Sequence, residues 1–203
     1  MHFVETCFTK HCFEKLEELK MIVIIGPQGS GKTMTARHIQ NNSKYKDWNK
    51  TTITTRLDPI MLMDRKPEKR FIIIDNLFDV YEYQQELFNW WDVLFNFCST
   101  SIRERDNVRL IITIKDKILE KAKVFIDKEK YAYLEKCYLR INTFSLTEEE
   151  KICILKNQYE MAEKFIGTDY QFLERNFKMQ SFEVGFPLCA HLYAFEAEND
   201  YRD

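Results

Sequence analysis

The apolar residues of this chain fall into short unbroken runs, separated by stretches where they recur every three or four positions. Residues 21–25 and 71–74 are wholly apolar, 108–113 and 137–141 are mostly aliphatic or aromatic apart from Arg109, Thr113 and Arg140, and 51–56 is rich in β-branched Thr and Ile. Unbroken runs of this length read as strands buried on both faces, as in a parallel sheet. The intervening periodicity predicts helices: an amphipathic one ahead of residue 21, another at 34–39, and a third carrying Tyr83, Leu87, Trp90, Trp91, Leu94, Phe95 and Cys98 on its core face. By propensity alone Val80, Tyr81 and Tyr83 would also suit a strand. Alternating strands and helices predict an α/β fold, with five parallel strands, right-handed crossovers and flanking helices.

The last third changes character. Thr147-Glu148-Glu149-Glu150 is a capping box, opening a helix with Ile152, Ile154, Leu155 and Tyr159 on its apolar side. A second helix is expected at 170–177. A third opens at Gly185-Phe186-Pro187-Leu188, with Leu188, Leu192, Tyr193 and Phe195 as its apolar set. No further strand pattern appears. The expected division is therefore a sheet domain at 1–145 and a small all-helical subdomain at 146–203.

Composition narrows the function classes. The 203 residues are 45% hydrophobic and 31% charged, which suits one ordered domain with a small appendage. A net charge of -2 gives no field for nucleic acid or an anionic membrane. The lysines at 115, 117, 121, 123, 128 and 130 are interleaved with acids at 116, 120, 127 and 129, which reads as solvated surface. No apolar stretch is long enough to span a bilayer and the first residues form no signal peptide, so a cytoplasmic protein is expected. The six cysteines form no CxxC pair and read as reduced core thiols.

The glycines mark the chemistry. Average usage of roughly 7% would give about fourteen, yet the chain has five, and Gly26, Gly29 and Gly31 fall together. They lie in Gly26-Pro27-Gln28-Gly29-Ser30-Gly31-Lys32-Thr33-Met34, a G-x-x-x-x-G-K-[ST] loop between an aliphatic strand and a helix. Glycines let successive backbone N–H groups wrap a phosphate chain at a helix N-terminus. In such a loop Lys32 reaches the β- and γ-phosphates, and Thr33 ligates Mg²⁺. Asp75, ending the 71–74 run, supplies the carboxylate that orders the metal. Asn76 follows it, where an efficient ATPase with an added strand between these motifs usually places an acidic base. Asn positions a water but takes no proton, so Mg²⁺-dependent ATP hydrolysis is expected to be slow. Asp79 and Glu82 read as solvated loop acids.

Together the phosphate loop, the added strand, the Ile-rich strand ending in Asp75, the Thr113-Ile114-Lys115 strand end, the Leu146-Thr147-Glu148-Glu149-Glu150-Lys151 helix start and the Gly185-Phe186-Pro187 turn resemble STAND-class P-loop NTPases. The likeness is to the novel STAND NTPases of animal immune-type proteins, and Phe3-Val4-Glu5-Thr6 is similar to that group's N-terminal segment. The resemblance implies an ATP/ADP-binding signalling switch in innate immunity. Pro187 would touch the adenine side, Val4 the base, and Lys115 the γ-phosphate, while nucleotide exchange opens the molecule for self-assembly or protein partners. It also implies a fragment of a larger parent protein or a degenerate paralogue. Where Lys115 stands the family usually has Arg, and Lys lacks the planar guanidinium fork. Two other readings use the same loop. A small-molecule or nucleotide kinase needs lid arginines, but the Arg count between the later strands is low, with Arg103 and Arg105 as the only clustered pair. A scaffold that holds nucleotide without hydrolysing it draws on Asn76.

Overall fold

The computed structural model describes residues 3–54, 68–77, 94–102, 106–124, 127–166, 187 and 190. Helix α1 (Cys7–Leu19) begins at Thr6, whose hydroxyl accepts from Thr9 N at 3.2 Å, and ends at Lys20 in the left-handed region. Strand β1 (Met21–Gly26) is buried at every position and leads through the glycine loop into α2 (Lys32–Gln40). Next come β2 (Asn49–Ile53), β3 (Arg70–Ile74), a π-helical segment Phe97–Ile102 and β4 (Val108–Lys115). Helices α3 (Asp116–Ala122) and α4 (Lys128–Glu135), strand β5 (Tyr138–Arg140) and helix α5 (Glu148–Ile166) complete the described elements.

The five strands form one sheet in the order β2-β3-β4-β1-β5, parallel at every pairing. Alternate residues of each strand face opposite sides, and two separate cores follow. On one face Ile22 and Ile24 of β1, Phe71 and Ile73 of β3 and Ile111 of β4 pack under α1 and α2 through Phe8, Cys12, Leu16, Ala36 and Ile39. On the other, Val23, Ile25, Ile72, Ile74, Ile112 and Ile114 meet Leu94, Phe97, Leu119 and Leu134. The α/β class and the five-stranded parallel sheet are as expected.

Two expectations need correction. The second strand, Asn49–Ile53, starts two residues ahead of the expected 51–56, because Asn49 and Lys50 are drawn into register with Arg70 and Phe71 despite their polarity, while Thr55 and Arg56 lie outside the described residues. The interleaved charges from 115 to 130 are exposed or half-buried as expected, on a stretch that folds as α3 and α4 and buries Leu119, Ala122 and Leu134 under the sheet. Of the cysteines, Cys12, Cys98 and Cys137 are buried, whereas Cys7 and Cys153 are exposed. Burial pushes the Cys137 thiol up to about 11 and those of Cys12 and Cys98 higher still, which keeps all three protonated and unreactive.

The capping box forms as expected: Thr147 N donates to Glu150 Oε2 at 2.9 Å, and Glu150 N to Thr147 Oγ1 at 3.1 Å. Glu150 Oε1 also accepts from Cys7 N at 2.6 Å, so one carboxylate caps the first turns of both α5 and α1. Leu94 and Cys98 of the aromatic stripe are buried. Its members Tyr83, Leu87, Trp90 and Trp91 lie outside the described residues, as do Val80, Asp79, Glu82, the 170–177 helix, Cys189 and Leu188, Leu192, Tyr193 and Phe195.

Candidate functional site

The site forms at the carboxyl edge of the sheet, where β1, β3 and β4 end beside the start of α2. Two glycines explain the loop. A Cβ on Gly26 would stand 2.2 Å from Ile141 Cγ2, because the chain leaving β5 crosses directly over this position. Gly31 has φ +92, and a Cβ there would lie 3.6 Å from Pro187 Cγ. The first constraint is a close approach, and the second a left-handed turn that sets α2 running away from the loop.

Lys32 is the first residue of α2 and is 5% exposed. Its ammonium donates to Pro27 O at 2.6 Å, and Ser30 Oγ donates to the same carbonyl at 2.9 Å. The lysine thus lies folded across the loop it would share with a phosphate chain. Pro27 and Gly29 are half-buried and Gln28 is exposed, while Met34 lies half-buried one residue beyond Thr33.

Thr33 and Asp75 meet although they come from different elements: Thr33 Oγ1 donates to Asp75 Oδ1 at 2.7 Å. Asp75 is 8% exposed, and its backbone N–H donates to Ile53 O at 2.8 Å, which anchors it to β2. A buried carboxylate is costly unless hydrogen-bonded. Here Thr113 Oγ1 of β4 donates to the same Oδ1, also at 2.7 Å. A hydroxyl oxygen beside a carboxylate is the hard-oxygen donor set that Mg²⁺ accepts together with nucleotide phosphates. The residues therefore fit the metal, which Thr33 and Asp75 would hold between them. Among the described residues, no group of three or more His, Cys, Asp and Glu side chains could hold a metal on its own.

Asn76 occupies the left-handed region at φ 53. Asn tolerates that conformation better than most side chains, so backbone geometry supplies a reason for Asn here besides chemistry. Its N–H donates to Thr113 Oγ1 at 2.8 Å, and Leu77 N donates to Thr113 O at 2.8 Å. Thr113 had no assigned role in the sequence reading. The available signal was one polar residue inside an aliphatic run, but its partner depends on strand register.

Lys115 ends β4 in register with Gly26, and lies two residues past Thr113 on the same strand. Alternation gives it the Thr113 face, on which α2 packs. Arg140 pairs with Ile25 in register and bonds Asp116 Oδ1 at 2.8 Å. By the same alternation it falls on the opposite face and is no candidate for the phosphate. Val4 is half-buried, and Phe3 beside it stacks on His38 of α2 with ring centroids 4.2 Å apart. Pro187 is helical and stands at the phosphate loop, beside Gly31. Arg103 and Arg105 lie outside the described residues. Among the described residues no helix is long and apolar enough to cross a membrane.

A family model described as novel STAND NTPase 3 matches residues 3–161. No curated protein sequence matches the chain. Among solved structures, the chain is similar to domain III of the Thermotoga maritima replication initiation protein DnaA, with 18% sequence identity and a TM-score of 0.55. The match covers 85% of this chain and 76% of that one. At this identity the likeness speaks for a shared fold alone.

Proposed function

The chain belongs to the novel STAND NTPase 3 family of P-loop NTPases, and from that membership we propose that it is an adenine-nucleotide switch. ATP or ADP would bind with Mg²⁺ through Gly26, Gly29, Gly31, Lys32, Thr33 and Asp75, and hydrolysis would be slow. The residues from 146 onward would close over the nucleotide and release to allow self-assembly or partner binding, in a cytoplasmic immune-signalling setting. The approach of Pro187 to Gly31 carries this reading, since it brings a residue from the last part of the chain to the phosphate loop.

A ligand moves a two-state equilibrium only through its differential affinity for the states. Going from 1:99 to 99:1 takes about 10⁴-fold, roughly 5.5 kcal/mol. Phosphates held by the loop in both states contribute none of that. Contacts made in the closed state alone do, and Pro187 and Lys115 are the candidates, with Val4 and the residues around it forming the base side.

The test is calorimetry with ATP and with ADP, combined with hydrogen exchange along α5. One charge-assisted bond from Lys115 to the γ-phosphate is worth about 1.5–3 kcal/mol. Lys115→Ala is therefore expected to narrow the ATP to ADP affinity ratio by about tenfold or more. Pro187→Ala is expected to weaken both nucleotides and to speed exchange from about residue 149 onward, leaving the sheet protected. An unchanged ratio in the first variant returns Lys115 to the surface. Unchanged affinity and protection in the second removes the closing lobe. Asn76 also favours a scaffold that holds nucleotide without turnover, which the hydrolysis experiment argued below separates from the switch.

A further inference from the structure

β4 is an aliphatic strand whose buried stretch is interrupted twice, by Arg109 near its start and by Thr113 near its end. Val108, Leu110, Ile111, Ile112 and Ile114 are all buried, and between them Thr113 is wholly inaccessible. A Val would fill that place with equal ease, and an unpaired hydroxyl there would cost free energy. Instead the group is fully engaged. It donates to Asp75 Oδ1 at 2.7 Å and accepts from Asn76 N at 2.8 Å, while the Thr113 carbonyl accepts from Leu77 N at 2.8 Å. One residue of β4 thus holds the carboxylate at the end of β3 and the two backbone N–H groups that follow it.

Thr33 donates to that same Oδ1 from the first turn of α2. Three elements meet on one carboxylate oxygen, and the left-handed turn at Asn76 hangs from the same hydroxyl. We propose that Thr113 is a positioning residue, which fixes the rotation of Asp75 and the turn at Asn76 so that Thr33 and Asp75 present their oxygens together to Mg²⁺. The inference rests on the nucleotide site proposed above. It goes beyond that reading by making metal affinity depend on a residue that touches neither metal nor nucleotide. Without the Thr113 hydroxyl, Asp75 retains Thr33 as a donor but is free to swing, and the Asn76 N–H is left unpaired at the strand end.

Hydrogen-bonded groups behind a metal ligand typically affect metal affinity by about 10- to 100-fold. The experiment compares nucleotide affinity by calorimetry in excess Mg²⁺ and in chelator, for the wild type, Thr113→Val and Thr113→Ser. The expected result is that Thr113→Val loses about 10- to 100-fold of the Mg²⁺-dependent enhancement. Its Mg²⁺-free affinity stays near wild type, and Thr113→Ser, which keeps the hydroxyl, restores the enhancement. A full enhancement in Thr113→Val overturns the proposal. So does an equal loss with and without Mg²⁺, which marks a residue needed only for folding. Should Thr113→Val fail to fold, Thr113→Cys keeps the volume with a weaker donor and is expected to show a partial loss of enhancement, and full enhancement there overturns the proposal too. A wild type that binds no nucleotide under either condition refutes the parent reading instead.

Discussion

Replacing Lys32 with Ala is expected to lower affinity for ATP and ADP by about 10²- to 10⁴-fold. In the structure the ammonium bonds the Pro27 carbonyl at 2.6 Å, within a residue that is almost wholly buried. On nucleotide binding it would exchange that neutral acceptor for phosphate oxygens. Two charge-assisted bonds, each worth about 1.5–3 kcal/mol, sum to about 3–6 kcal/mol, which sets the range. The bond given up also has a charged donor and offsets about 1.5 kcal/mol of that, so the lower half is favoured. The loop should survive the change, because Ser30 Oγ still donates to Pro27 O and Ala suits the first turn of α2. Thermal unfolding of the free variant should therefore stay close to wild type. Calorimetry showing equal binding by the two proteins would remove the phosphate role of this loop altogether.

The loop and Asp75 were legible because their signals are local. An aliphatic run followed by spaced glycines, Lys and Thr fixes strand, turn and helix start within a dozen residues. Asp75 stands out as a carboxylate closing another such run. That they meet is a matter of sheet order: β4 lies between β1 and β3, and Thr33 and Asp75 nevertheless come within 2.7 Å. Position and partners that depend on register were harder to read. Thr113 gains its partners only once β3 and β4 pair with Ile74 opposite Ile112. Asn49 and Lys50 have weak strand propensity and join β2 because the edge of β3 offers ladder partners, including Lys69 O for Asn49 N at 2.8 Å. Helices α3 and α4 are short and crowded with charge, which hid a usable pattern. Ile118 and Leu119 stand four and three residues before Ala122, and Asp127 caps α4 by accepting from Glu129 N at 2.9 Å. Cys7 sits exposed directly after the Thr6 cap, where a helix start faces water regardless of its apolar neighbours.

Asn76→Asp is expected to raise ATP turnover by about 10²-fold, the lower end of what a general base contributes. An amide orients an attacking water but accepts no proton from it, while a carboxylate at the same position does both. The backbone decides which acid to use. At φ 53 a longer side chain adds about 1–2 kcal/mol of left-handed strain, whereas Asp shares the local tolerance of Asn. Asn76→Glu, attractive from sequence alone, would therefore disturb the turn that Thr113 anchors and confound rate with geometry. Asn76→Gly makes the matching control: it accepts the same φ, keeps the N–H that donates to Thr113, and removes the side chain. Steady-state phosphate release at saturating ATP, with affinities measured in parallel, reads all three proteins. If Asn76 places the water, Asn76→Gly should fall below the slow wild type while Asn76→Asp rises above it. A wild type already turning over at tens per second, in the range of an ordinary enzyme, would mean that another group takes the proton. Equal rates in wild type, Asn76→Gly and Asn76→Asp at unchanged affinity would leave Asn76 as a residue chosen for its turn alone, and the chain as a nucleotide-holding scaffold.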